Sequence, residues 1–166
     1  MIDIKDNYLP LDEIDKIESV MKSNYFGWFL PPGGIANNDD NNIGGYFTHH
    51  FFDDNHSYSN QYGAIRNLIH GNIKPTALIR IKGNLYTKSH KLIEHGYHID
   101  FPFKHENCWS SILYVNTNNG YTKFEDGTKV DSIKNRLLTF PTHMKHTSST
   151  CSDELYRINI NINYYR

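Results

Sequence analysis

The most regular pattern in the chain is a strict alternation of apolar and polar side chains around residue 160. Ile158, Ile160 and Ile162 occupy every second position, and arginine or asparagine fills the positions beside them. Successive side chains of a β-strand point to opposite faces, so this pattern predicts a strand over residues 154–164 with one packed and one polar face. The rest of the chain must supply the sheet to which this strand belongs.

Short strand patterns separated by turns continue from residue 76 onward. The predicted strands cover residues 77–86, 96–100, 109–116, 122–125, 128–133 and 135–140, and a shorter piece begins at His146. Asp126-Gly127 is the strongest hairpin signal, because this dipeptide adopts the turn that joins two antiparallel strands. In the first of these strands, the isoleucines and Leu85 are expected to face a packed layer, while Tyr86 faces the other way.

The first 75 residues contain the predicted helices. Residues 11–23 have apolar side chains at helical spacing and acidic residues near the start, and Asp12 or a neighbour is the expected N-cap. Residues 60–69 show a second helical pattern. Residues 25–30 and 46–52 are predicted strands, and the Gly-, Asn- and Asp-rich residues 33–45 are a predicted surface loop.

Two helices followed by about eight short strands predict a mainly β fold, either a sandwich or a jelly-roll-like barrel braced by the helices on one face. A length of 166 residues suits a single domain. We expect helical support over about residues 1–75 and a barrel core over about residues 76–166.

Charge and cysteine content narrow the function classes. Lys and Arg number 17 against 18 Asp and Glu, without a basic stripe, which argues against a nucleic-acid partner. No apolar run is long enough to cross a membrane, and the N-terminus lacks the features of a signal peptide. Cys108 and Cys151 are far apart in sequence and indicate reduced thiols in a cytoplasmic protein, with a single disulfide as the alternative.

A histidine and a carboxylate lie two residues apart in the predicted strand over residues 96–100. On a strand, His98 and Asp100 leave the same face and can serve as two ligands of a 2-His-1-carboxylate iron site, which keeps coordination positions open. Two polar residues on an exposed strand face would look the same. The interpretation therefore depends on a third ligand and a cosubstrate anchor downstream.

Candidates for both features occur after residue 140. Arg157 belongs to the polar face of the terminal strand, and if that face lines a cavity, its guanidinium is a natural two-point anchor for an organic acid. A surface position is the alternative. His146 precedes Arg157 by 11 residues, which fits a short strand, a turn and a return strand, whereas His143 precedes it by 14. We therefore favour His146 over His143 as the third ligand.

The order His98-x-Asp100, then His146, then Arg157 resembles the Fe(II)/2-oxoglutarate-dependent dioxygenases, specifically the prolyl-4-hydroxylase-like branch. Further runs look like uncharacterised oxygenases of tailed bacteriophages: RIKGNLY at 80–86, EHGYHIDF at 94–101, YVN at 114–116 and FEDGT at 124–128. The likeness covers roughly residues 76–164 and, more loosely, the N-terminal helices.

This resemblance implies a double-stranded β-helix, which is a jelly-roll, cupin-like barrel, that uses Fe(II), 2-oxoglutarate and O₂, with ascorbate as an optional reductant. His98, Asp100 and His146 would hold iron, and Arg157 would bind the far carboxylate of 2-oxoglutarate. The implied reaction is hydroxylation of a peptide or small-molecule substrate, coupled to decarboxylation of 2-oxoglutarate to succinate. A viral origin would place the protein in the host cytoplasm.

The resemblance also implies cosubstrate contacts on neighbouring strands. Tyr114 matches a tyrosine that touches the cosubstrate in the prolyl-hydroxylase branch, with a core aromatic as the alternative, and Tyr86 matches a second tyrosine. Asn84 and Asn159 share faces with Tyr86 and Arg157, so they are expected to line the same cavity. The chain departs from the branch after Tyr86, where the loop is longer and the usual Pro-Gly is absent.

Two other classes stay open. A cupin-like module could bind a metal or a small acid without turnover, with His95, His105 and His143 as alternative ligands. In a structural or accessory phage protein, the polar faces would simply be exposed to solvent. For His49 and His50, which lie on opposite faces of a predicted strand, a hydrogen-bonded structural role is favoured over metal ligation.

Overall fold

The structure is a computed structural model that describes residues 1–31, 46–53, 58–100 and 107–166. The predicted loop over residues 33–45 and the candidate His105 lie outside the described residues. The described chain is mainly β, with nine strands in two antiparallel sheets: β1 (Asp3–Lys5), β2 (Tyr46–Asp53), β3 (Ala77–Thr87), β4 (Cys108–Tyr114), β5 (Tyr121–Phe124), β6 (Lys129–Asp131), β7 (Leu137–Pro141), β8 (His146–Ser148) and β9 (Tyr156–Tyr165). The larger sheet has the order β1-β7-β4-β9-β3-β2, and the smaller has the order β6-β5-β8.

The alternating terminal segment forms β9, between β4 and β3 in the larger sheet. Its three alternating isoleucines are fully buried in the main hydrophobic core, together with Ile14 and Ile17 of the helix α1 (Leu11–Met21). The opposite, polar face of β9 is turned toward the smaller sheet. The period-two pattern therefore predicted both the strand and the separation of its two faces.

The two helical predictions have different outcomes. α1 forms as expected, but Pro10 is at its N-cap position and makes no side-chain capping bond. Asp12 lies inside the first turn, so the prediction of a side-chain cap from Asp12 or a neighbour is wrong. Residues 60–69 do not form one continuous helix: a 3-10 helix at Tyr62–Ile65 is followed by a π-helix at Leu68–Ile73. Two glycines within these segments weaken a regular α-helix.

Most strand predictions are confirmed. The predicted strands over 46–52, 77–86, 109–116 and 135–140 correspond to β2, β3, β4 and β7, and the predicted hairpin joins β5 to β6. Gly127 in its turn has a φ of 88°, which glycine adopts without strain. β1 was not predicted, because its three exposed residues carry no hydrophobic alternation.

The prediction of a strand over residues 25–30 is wrong. This segment turns, and it touches the sheet at one isolated bridge between Phe29 and Thr48 of β2. The Trp28 indole donates to the backbone carbonyl of Met21 at 3.1 Å, and Phe26 is buried in the core. The aromatic run therefore packs against the end of α1 instead of forming a ladder.

The strand predicted over residues 96–100 also does not form as a continuous strand. The chain is held beside β8 at two isolated antiparallel bridges, Glu94 with Ser149 and His98 with His146. These two bridges keep the segment against the smaller sheet. His98 and Asp100 are therefore positioned without the regular ladder that their spacing suggested.

In the described residues, no helix is long and apolar enough to cross a membrane. Cys108 and Cys151 are both buried and free, so the alternative of a disulfide between them is not realised. Closure of the sheets into a barrel, and the division into helical support and barrel core, stay predictions.

Candidate metal centre and acid-binding cleft

A cleft lies between the two sheets, on the polar face of β9. Its cavity volume is about 40 Å³. Both sheets contribute polar side chains to its lining, among them Asn84, Asn159, Asn161, Thr122, His146 and Ser148. The polar face of the terminal strand is therefore the wall of a cavity.

The three predicted metal ligands meet in this cleft. Oδ1 of Asp100 lies 3.9 Å from Nε2 of His98 and 3.9 Å from Nε2 of His146. One ligand atom from each residue lies within 4.8 Å of the others. Two imidazoles and a carboxylate at these separations suit one transition-metal ion and leave coordination positions open.

Backbone contacts orient both histidine rings. His98 and His146 exchange two backbone N–H···O hydrogen bonds of 2.9 Å, and their ring centroids are 4.5 Å apart. Nδ1 of His146 lies 3.0 Å from the carbonyl of Met144, and Nδ1 of His98 lies 3.4 Å from that of Gly96. A proton on Nδ1 donates to these carbonyls and leaves the lone pair of Nε2 for a metal.

The Asp100 carboxylate is held by side chains that the sequence analysis did not single out. Ser110 donates to its Oδ2 at 2.7 Å, and the amides of Asn161 and Asn163 donate at 3.2 and 3.1 Å. The Arg80 guanidinium lies 3.8 Å from Oδ1. Strand alternation could have identified the two asparagines, since they share a face with Arg157; no local pattern connects Ser110 to Asp100.

The local electrostatics favour the protonation states in which Asp100 and His98 can bind a metal. Burial acts to raise the pKa of the Asp100 carboxyl, but the nearby charges of His146, Arg80 and His98 outweigh it and hold the pKa below its usual range. Burial, followed by the proximity of His146, lowers the pKa of His98. At neutral pH the centre therefore offers an anionic carboxylate and a neutral His98 imidazole.

The other candidate histidines lie elsewhere. His143 is exposed and outside the cluster. His95 is buried, lies 2.8 Å from the hydroxyl of Ser148 and stacks on the ring of Tyr86. His49 contacts a backbone carbonyl at 2.7 Å and a serine hydroxyl at 3.0 Å, which is the structural role predicted for a buried histidine of this strand.

Arg157 lies behind the wall of the cleft, against the lining residues Tyr86 and Thr122. Its side chain is fully buried, with Nη2 3.4 Å from the hydroxyl of Thr122 and Nη1 3.5 Å from the carbonyl of Ser149. Nε has no hydrogen-bond partner. In the described part of the chain, no carboxylate lies within 4.0 Å of its guanidinium. Arg157 is therefore a buried cation whose N–H groups make long hydrogen bonds or, at Nε, none.

Two tyrosine rings enclose the guanidinium. Its central carbon lies 5.1 Å from the ring centroid of Tyr86 and 5.6 Å from that of Tyr114. The Tyr114 hydroxyl donates to Thr122 at 2.8 Å. A methyl group at Gly120 would lie 2.6 Å from Cδ of Arg157, so glycine leaves room for the arginine. Thr122 and Gly120 gave no signal in the sequence analysis.

The β3–β9 register places the remaining predicted residues on the same wall. Tyr86 is opposite Arg157, and Asn84 is opposite Asn159. The amide of Asn84 donates to Asn159 at 2.8 Å and accepts from the Tyr46 hydroxyl at 2.8 Å. All eight predicted site residues therefore lie in or around one cleft, with the ligand cluster in its lining and Arg157 behind its wall.

No protein-family model and no curated protein sequence matches the chain. Solved structures do match. A prolyl hydroxylase from Trichoplax adhaerens, in complex with a hypoxia inducible factor oxygen degradation domain peptide, is 18% identical, with 99% of this chain and 83% of that chain covered and a TM-score of 0.66. A Pseudomonas putida prolyl-4-hydroxylase is 15% identical, with 99% and 92% covered and a TM-score of 0.62. HygX from Streptomyces hygroscopicus, with nickel and 2-oxoglutarate bound, is 10% identical, with 99% and 82% covered and a TM-score of 0.64.

At these identities the likeness is one of fold. The chain has the fold of the 2-oxoglutarate-dependent Fe(II) oxygenases, whose matched members include prolyl hydroxylases. The predicted resemblance is confirmed at that level. The likeness to bacteriophage oxygenases stays a prediction.

Proposed function

We propose that the protein is an Fe(II)- and 2-oxoglutarate-dependent dioxygenase that hydroxylates a peptide or small-molecule substrate in the manner of prolyl hydroxylases. The observation that carries this proposal is the buried, carboxylate-free guanidinium of Arg157, which lies against the wall of the cleft that holds the His98, Asp100 and His146 cluster. Burying an unpaired cation is costly, so this arrangement is understandable when an anionic ligand completes it.

In this proposal, His98, Asp100 and His146 hold Fe(II). The donor set fits the ion, because two neutral imidazoles and one carboxylate are the ligands of non-haem Fe(II) oxygenases. Bound there, Fe(II) supplies the oxygen chemistry that couples decarboxylation of 2-oxoglutarate to succinate with hydroxylation of a substrate C–H bond. Ser110 and the two asparagines hold the Asp100 carboxylate in place, a positioning role that outer partners of metal ligands commonly have.

Arg157 binds the far carboxylate of 2-oxoglutarate through paired N–H groups, as a planar guanidinium does best. Tyr114 and Tyr86 flank this contact and exclude water from it, while Asn84 and Asn159 line the span toward the metal. The proposal also includes the finer predictions: a single domain, O₂ as the second cosubstrate, ascorbate as an optional reductant, and a cytoplasmic location, in the host if the origin is viral.

The test is an anaerobic titration of the purified protein with Fe(II) and 2-oxoglutarate. We expect a weak visible charge-transfer band, and succinate formation when O₂ is admitted. His98→Ala should lose the band because it removes a ligand, whereas His143→Ala, at an exposed histidine outside the cluster, should keep it. Absence of the band in folded, metal-loaded wild-type protein would falsify the proposal, and a band without succinate across a wide substrate screen would favour a non-catalytic binding module.

A further inference from the structure

A further cation lines the cleft and has no part in the proposed metal centre or acid anchor. Lys82 on β3 lines the cleft together with His98 and Asp100. It stands directly opposite Asn161 of β9, whose amide donates to Asp100 at 3.2 Å. Lys82 is therefore at the level of the metal-binding carboxylate.

Lys82 and Arg157 occupy different levels of the cleft. Arg157 is opposite Tyr86, four positions from Lys82 along β3. A strand rises about 3.4 Å per residue, which separates the two levels by roughly 13 Å along the strand. A five-carbon diacid that reaches from Arg157 to the metal occupies the span between them. The ammonium of Lys82 is therefore not needed for its far carboxylate.

The ammonium of Lys82 has no carboxylate partner in the described residues: none lies within 4.0 Å of Nζ. Its recorded contact is with the ring of Tyr46, whose centroid lies 5.9 Å from Nζ. Burial, followed by the nearby Arg80, lowers the pKa of Lys82 to about 8, although the more distant Asp100 carboxylate opposes this shift, so the amine is still mostly protonated at pH 7. A half-buried cation of this kind is stabilised by a negative group that enters the cleft.

We propose that Lys82 binds a carboxylate of the substrate beside the metal centre, which makes the substrate class small carboxylate-bearing molecules such as free amino acids. This rests on the proposed function, because the metal and 2-oxoglutarate define the part of the cleft that is left for the substrate. The two positive charges of Fe(II) balance the two negative charges of 2-oxoglutarate. The Asp100 carboxylate lies 3.8 Å from the guanidinium of Arg80, which partly balances its charge. The ammonium of Lys82 is then left for the substrate, as a point charge that a carboxylate neutralises.

The probes are free L-amino acids and the α-carboxamides of the same amino acids, which differ in one negative charge. Their binding is measured by calorimetry on protein loaded with Mn(II) and N-oxalylglycine, an unreactive analogue of 2-oxoglutarate. Their turnover is measured as succinate formation with Fe(II) and 2-oxoglutarate. The variants are Lys82→Met, which removes the charge at similar length, Lys82→Arg, which keeps it, and Lys91→Met as the control at an exposed lysine.

We expect at least one free amino acid to bind, and its carboxamide to bind about tenfold more weakly or worse, as loss of a charge-assisted contact predicts. Lys82→Met should remove this difference, Lys82→Arg should retain part of it, and Lys91→Met should leave it unchanged. The affinity of Lys82→Met for 2-oxoglutarate should stay close to that of the wild type.

Three results overturn the inference: carboxamides that bind as well as the acids, a panel in which no acid binds, or a Lys82→Met variant that loses 2-oxoglutarate affinity as strongly as amino-acid affinity. The last result would assign Lys82 to the cosubstrate. The charge-transfer band distinguishes failure of the proposed function from failure of this inference alone. If the wild-type band is absent, the proposed function fails, and if the band is present without discrimination between acids and amides, only this inference fails.

Discussion

Arg157 is the single residue whose chemistry conflicts most with stability. A guanidinium removed from water costs free energy that long contacts to one hydroxyl and one carbonyl do not recover. Its fully buried position and its unpartnered Nε therefore make the ligand-free protein less stable than a well-packed apolar replacement would. In the proposed function, a bound carboxylate would reverse that balance and tie the stability of the fold to the presence of the ligand.

Arg157→Met removes the charge and keeps an extended side chain. Without ligand, we expect the variant to melt at or above the wild-type temperature. With Mn(II) and 2-oxoglutarate, only the wild type should gain stability from the cosubstrate, because the variant has lost the carboxylate anchor. Arg157→Lys should bind 2-oxoglutarate about tenfold to a hundredfold more weakly than the wild type, because the paired contact is lost. Calorimetry and thermal melts measure both effects, and wild-type cosubstrate affinity in Arg157→Met would contradict the assignment.

At the scale of elements, α1 is attached to the sheets by its apolar face and by one polar contact at its edge. Lys134, between β6 and β7, donates to Asp15 at 2.6 Å and also to Glu18. Burial acts to raise the pKa of Glu18, but hydrogen bonds from Lys134 and Lys22 outweigh it and lower the pKa below its usual value. Because the ion pair is partly shielded from water, we expect it to contribute measurably to stability.

Lys134→Met should lower the free energy of unfolding by about 1 kcal/mol at pH 7. The folded-state pKa of Glu18 lies below its unfolded value of about 4.3, so this stabilisation is present above that pH and is lost as pH falls through the folded value. Urea unfolding of wild type and variant between pH 3 and pH 7 measures the difference, which should shrink at the acid end.

The control for this prediction is Lys145→Met, which breaks a pair with Glu125 of similar length, 2.8 Å, at a more exposed position. It should change stability by less than about 0.5 kcal/mol at every pH, because exposed pairs are screened by water. An effect of Lys134→Met that is the same at pH 3 and pH 7 would show that the contact acts through packing instead.

At the scale of the whole molecule, the proposed metal centre connects two parts of the chain that pair without a regular strand ladder. The segment over residues 94–100 is bridged to His146 of β8 and to Ser149 directly after it. This segment carries two of the three candidate ligands, and β8 carries the third. A metal ion bound by all three would link this segment to the smaller sheet. Binding should therefore stabilise the folded state as a whole.

At a Mn(II) concentration one hundred times its dissociation constant, the free energy of unfolding should rise by about 2.7 kcal/mol in the wild type. The same rise is expected in His143→Ala, and little or none is expected in His146→Ala at the same concentration, because His146 belongs to the ligand cluster and His143 does not. Urea unfolding with and without Mn(II) measures the three proteins. Equal stabilisation of His146→Ala would place the metal elsewhere.

Predictions from sequence succeeded where a local pattern is enough. Alternation predicted β3 and β9, helical spacing predicted α1, and the Asp126-Gly127 dipeptide predicted a hairpin. The strands predicted over residues 25–30 and 96–100 failed, because their pairing depends on distant partners such as Thr48 and Ser149. A short run of β-prone residues does not show whether a partner strand is available beside it.

The sequence by itself determined the two faces of β9 and the order of the candidate ligands along the chain, since both follow from residue type and spacing. Only the tertiary structure decided the surroundings of those groups. Ser110 and Asn163 meet at the carboxylate of Asp100, and Thr122 meets Arg157, although these pairs are separated by 10 to 63 residues. Strand register and the facing of two sheets set such contacts. They depend on how distant hydrophobic faces pack, which no local pattern contains.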